Sequence, residues 1–97
     1  MAGLTGERYA FTQDNASKAP DQKGVYQIEA SDGTLIFVGQ GDISARLLSH
    51  LRRENTADAC IFRHNPTQYR REVCADAEDK ESRLLSQFST LCNQRIG

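Results

Sequence analysis

The chain is 97 residues long, carries 12 Lys plus Arg against 13 Asp plus Glu for a formal net charge of −1, and is 38% hydrophobic. That much chain and apolar content builds one small core and excludes a multidomain machine. Uninterrupted apolar runs are short, as in Leu35-Ile36-Phe37-Val38, far below the roughly 20 residues of a membrane-spanning helix. The first residues lack the basic start and apolar stretch of a secretory signal, so no membrane contact and a cytoplasmic location are expected.

In chain order, residues 1–22 hold scattered Tyr9 and Phe11 and then an aperiodic polar stretch, which reads as a loose N-terminal arm leading into a domain over 23–97. From Gly24 the pattern becomes Val25-Tyr26-Gln27-Ile28-Glu29-Ala30, then Ser31-Asp32-Gly33-Thr34, then Leu35 to Gly39. Two strands joined at Asp32-Gly33 form a hairpin. A two-residue loop there sets Ala30 opposite Leu35, Ile28 opposite Phe37 and Tyr26 opposite Gly39. The missing side chain at Gly39 then leaves room for the Tyr26 ring.

Asp42 is placed to cap a helix over about Ile43 to Glu54. Its apolar stripe is Ile43, Leu47 and Leu51, and Arg46, His50 and Arg53 share one flank. Asn55 to Asp58 breaks it, Ala59 to Arg63 reads as a third strand, and Tyr69 to Ala75 as either an edge strand or a loop. Residues 46–71 are the basic part of the chain, with Arg46, Arg52, Arg53, Arg63, Arg70 and Arg71 against Glu54 and Asp58. Such a concentration suits a phosphate backbone or a solvated face.

A last helix is expected from about Ala77 to Leu91. Glu81 falls in the middle of its apolar face, between Ala77, Leu84, Leu85 and Phe88. An inward carboxylate must pair with a cation, with Arg46 as the candidate, or bind a metal, or hold a proton. Cys60, Cys74 and Cys92 are odd in number and widely spaced. They read as reduced packing residues, with no Cys-x-x-Cys or His-x-x-x-His pair to preorganise a zinc site.

The run Gly24-Val25-Tyr26, the eleven residues from Tyr26 to Phe37 in Phe37-Val38-Gly39, and then Arg46, His50, Glu81 and Asn93 resemble the GIY-YIG nuclease family over about residues 23–93. The resemblance implies an α/β domain of the α+β type, a small central antiparallel sheet of about three strands flanked by helices. The order expected is β-β-α-β-α.

It further implies a metal-dependent DNA endonuclease. Tyr26 would orient or deprotonate the attacking water, Arg46 would clamp a phosphate oxygen, and His50 would contact phosphate or share the proton. Glu81 would hold one Mg²⁺ or Mn²⁺ ion, and Asn93 would fix a strand tyrosine or the water. Arg53, Arg63, Arg70 and Arg71 are the further candidates for DNA contact, and branched or damaged DNA is the partner expected. The departure is Phe37, where the family's second tripeptide has tyrosine: a phenyl ring neither binds nor deprotonates water. The alternative is therefore an inactive relative that binds nucleic acid or a protein partner.

Overall fold

A computed structural model of the chain describes Leu4 and residues 6–93. The elements are β1 (Tyr9–Ala10), α1 (Gln13–Lys18), β2 (Lys23–Glu29), β3 (Leu35–Asp42), α2 (Ile43–Leu51), α3 (Asp58–Arg63), β4 (Gln68–Val73) and α4 (Ala77–Gln87). The four strands form one antiparallel sheet in the order β1-β4-β2-β3. The fold is thus the expected small α+β domain, with four strands where about three were expected. No helix among the described residues is long and apolar enough to cross a membrane.

The sheet is buried on both faces because its strand residues alternate sides. On one face Tyr26, Ile28 and Tyr69 pack with Ala16 of α1, Ile43 and Leu47 of α2 and Ile61 of α3. On the other, Val25 and Val38 pack with Ala77 and Leu84 of α4 and with Leu4. Ile28, Ile36, Ile43, Leu47 and Ile61 are fully buried, each worth about 1.5–3 kcal/mol of burial.

The hairpin keeps its expected register where it matters and departs at the turn. Tyr26 pairs with Gly39 and Ile28 with Phe37. The loop, however, is the three-residue Ser31-Asp32-Gly33: Gly33 N–H donates to Ala30 C=O, Ala30 N–H donates to Thr34 C=O, and Gly33 has φ 88°. That is a tight turn ended by a left-handed glycine. It sets Glu29 opposite Leu35, and a bulge between Ile28 and Glu29 restores the expected pairing.

Four other expectations are corrected. Residues 1–22 are not a loose arm throughout: β1 pairs with β4, α1 is capped by the Thr12 side chain, and Phe11, Ala16 and Ala19 enter the core. Ala59 to Arg63 is not a strand but most of α3; a run this short has no period to separate a buried strand from a buried helix. Tyr69 to Ala75 supplies β4, an interior strand. It tolerates its charges because Arg70 pairs with the buried Glu29 at 3.2 Å, while the Arg71 guanidinium lies over the Tyr9 ring. Finally, Cys60 and Cys92 are not separate thiols but are joined by a disulfide, which leaves Cys74 free.

Candidate active site

The site begins with the geometry of the hairpin. A Cβ at position 39 would lie 2.3 Å from the Tyr26 hydroxyl oxygen and 2.4 Å from its Cζ. Glycine is therefore what lets the phenol lie across β3. From β3 the chain turns directly into α2, whose first turn is capped by the Asp42 carboxylate accepting from Ala45 N–H at 3.1 Å. Four residues apart on α2, Arg46 and His50 lie one above the other. Arg46 stays exposed at the rim, while His50 is buried.

Tyr26, His50 and Asp58 form a hydrogen-bonded line. Tyr26 Oη lies 2.7 Å from His50 Nε2, and His50 Nδ1 lies 2.6 Å from Asp58 Oδ1. The other Asp58 oxygen accepts from Asn55 N–H at 2.8 Å and from Asn55 Nδ2 at 3.0 Å. All three members of the line are at most 3% exposed. The tautomer follows from these partners: an anchored carboxylate accepts from Nδ1–H, so Nε2 accepts from the Tyr26 hydroxyl.

Burial pushes the Tyr26 phenol well above its ordinary range. The Arg46 charge opposes that shift, and the Glu81 and Asp58 charges add to it. Tyr26 is therefore protonated at neutral pH. It is able to accept a proton from a water only while passing its own to His50.

These groups open onto a cavity of about 270 Å³ at the edge strand β3. Its lining includes Tyr26, Phe37, Gly39, Arg46, His50 and Glu81, the last from α4, so four elements meet there. Glu81 is half-buried and shares its helix face with the buried Ala77 and Leu84. Phe37 occupies the second-motif position, its ring centroid 6.4 Å from that of Tyr26 and edge-on to His50 at 5.1 Å.

Asn93 lies outside this cavity. Its amide grips one backbone unit of β3, accepting from Val38 N–H at 2.7 Å and donating to Val38 C=O at 2.8 Å. It thus holds the strand between Phe37 and Gly39.

The additional arginines disperse. The Arg53 guanidinium lies 4.2 Å over the Phe62 ring, and Arg63 borders a different cavity. Arg71 is cross-strand from Tyr26 but lies over Tyr9. Arg70, one residue before it, points to the opposite face of the sheet, where it pairs with Glu29 and donates to Leu4 C=O. Its guanidinium is thus engaged within the fold.

Asp58 and Asn55 were missed because that stretch reads only as a helix breaker. The available signal was His50 itself, since a buried imidazole needs a partner on its second nitrogen.

As a metal centre, the cavity offers one half-buried carboxylate, from Glu81, and room for solvent. The one group of three or more His, Cys, Asp or Glu residues close enough to share an ion, among the described residues, lies elsewhere. A single hard oxygen ligand beside space for waters fits Mg²⁺ or Mn²⁺, which retains much of its hydration.

Comparison with known proteins agrees on the fold. The GIY-YIG N-terminal endonuclease domain of UvrC from Thermotoga maritima, bound to magnesium as its catalytic divalent cation, is 22% identical, with a TM-score of 0.73 over 84% of this chain and 94% of that one. An asparagine-to-alanine point mutant of the same domain, also bound to its catalytic divalent cation, matches at 22% identity and a TM-score of 0.74 over 86% of this chain and 94% of that one. No curated protein sequence matches the chain. A family model described as a domain of unknown function, DUF7508, matches residues 7–89. The chain belongs to the DUF7508 family, and its fold is that of the GIY-YIG nuclease domains.

Proposed function

We propose that this protein is an endonuclease that hydrolyses phosphodiester bonds in DNA with the help of one divalent cation. The observation that carries this reading is the Tyr26–His50–Asp58 line ending in the same cavity as Arg46 and Glu81. Phosphodiester hydrolysis needs a water activated for attack, a cation to neutralise the transition state and a Lewis acid.

Tyr26 Oη accepts a proton from the attacking water as its own hydroxyl proton moves to His50 Nε2. The imidazolium so formed is stabilised through Nδ1–H by Asp58, which stays ionised. Arg46, exposed at the rim, binds a non-bridging phosphate oxygen through its planar fork. Glu81 is the residue that would hold Mg²⁺ or Mn²⁺, which supplies charge neutralisation at the phosphate when bound.

Phe37 favours a second reading, in which the domain binds DNA without cutting it. Its phenyl ring fills the place from which a second hydroxyl would reach the cavity. The two readings separate when supercoiled plasmid, branched DNA and flap DNA are incubated with the protein and Mn²⁺ or Mg²⁺. Cleavage by the wild type that falls by about 10²–10³ in Arg46→Ala and in Glu81→Ala supports the enzyme. Binding without cleavage supports the second reading, and activation by Phe37→Tyr would assign the defect to the absent hydroxyl.

A further inference from the structure

A second cluster of ligand-bearing side chains lies away from the Tyr26 cavity. Cys60 sits on α3, and His64 follows one turn later as its C-cap. Cys92 belongs to the segment after α4 that runs along β3, with Cys92 N–H donating to Ile36 C=O at 2.9 Å. Both sulfurs and a ring nitrogen of His64 lie within 4.8 Å of one another. The His64 side chain makes no hydrogen bond among the described residues. Cys74, the remaining cysteine, is not in the cluster.

We propose that Cys60, His64 and Cys92 form a Zn²⁺ site in the reduced protein, as the alternative to the Cys60–Cys92 disulfide. Two thiolates and an imidazole are the ligands a tetrahedral zinc ion takes, and donors around such an ion stand roughly 3.5–3.8 Å apart. The three atoms lie within 4.8 Å of one another, close to that scale, and ligation needs the two bonded sulfurs to separate. Both cysteines line a cavity of about 590 Å³ that also borders Arg63 and Phe37, with room for the water or external ligand that would complete the coordination.

The soft sulfur set selects Zn²⁺ over Mg²⁺, which separates this site from Glu81 by ligand chemistry as well as by place. In the first step a dithiol or phosphine reductant gives two electrons to the sulfur–sulfur bond, and each sulfur gains a proton. Zn²⁺ then replaces the two thiol protons, which leave to solvent. Either cross-link ties α3 to the residue before Asn93, and so to the strand that Asn93 grips.

The test uses the full chain, reduced with a phosphine, desalted without oxygen and titrated with Co²⁺ as a coloured substitute for Zn²⁺. The expected result is one Co²⁺ per chain with a thiolate-to-metal charge-transfer band, displaced by one equivalent of Zn²⁺. His64→Ala and Cys92→Ser should bind at least about tenfold more weakly, and Cys74→Ser should titrate like the wild type. Zn²⁺ should also raise the melting temperature of the reduced protein and not that of the oxidised one, a reading that needs no variant. The circular dichroism of oxidised His64→Ala checks that this variant folds. A reduced wild type with no thiolate band, a His64→Ala titration equal to wild type, a band lost in Cys74→Ser, or equal Zn²⁺ stabilisation of both redox forms would each overturn the site.

Discussion

Tyr26 carries two demands at once: its ring belongs to the core, and its hydroxyl belongs to the cavity. Burial holds the phenol proton above the ordinary range of about pH 10. Over the pH range just above that value the unfolded chain has released the proton while the folded chain keeps it, so stability falls as pH rises. The contribution is intact below about pH 10. Urea unfolding of the wild type and Tyr26→Phe across that boundary should show a steeper alkaline loss in the wild type; parallel profiles would mean that Tyr26 is not shielded. Gly39→Ala tests the same contact from the other side. Its Cβ collides with a buried ring rather than with the end of a flexible chain, so a loss of about 1–3 kcal/mol is expected. Unchanged stability to urea would contradict the packing described.

At the level of elements, α2 is set by its cap and β3 by its edge partner. Asp42→Ala should lower stability by about 1 kcal/mol, whereas Asp42→Asn, which keeps a capping oxygen, should not; denaturant midpoints check the contrast. The outer edge of β3 is covered by the segment after α4, through backbone bonds from Leu91 and Cys92 and through the Asn93 amide. Asn93→Ala should therefore cost about 1 kcal/mol and speed amide hydrogen exchange at Val38, while exchange at Ile28 in the sheet interior stays slow.

The hairpin, both long helices and the inward face of Glu81 were legible in the sequence because alternation, capping and helical periodicity are local signals. What was not legible depended on partners distant in the chain. Asp58 acquires its meaning from His50, Arg70 from Glu29, and Ala59–Arg63 becomes helical because Ile61 packs beneath the sheet. The bulge that corrects the hairpin register left no mark in residue type.

For the molecule as a whole, two thin helical layers leave one sheet edge where β2, β3, α2 and α4 approach together. Two points of chemistry flank that edge. The Glu81 cavity offers hard oxygen, and the Cys60–His64–Cys92 cluster offers sulfur and nitrogen, with Phe37 bordering both cavities. The near-neutral net charge provides little general attraction for duplex DNA, so binding should rest on a few local contacts and weaken with added salt. Hydrolysis at the Tyr26 cavity is tested most directly by single-turnover cleavage of labelled flap DNA in Mn²⁺, comparing the wild type with Tyr26→Phe at matched melting temperature. The expected result is cutting by the wild type and a rate at least about 100-fold lower in Tyr26→Phe. Equal rates, or a wild type that binds the flap and never cuts it, would contradict hydrolysis at this site.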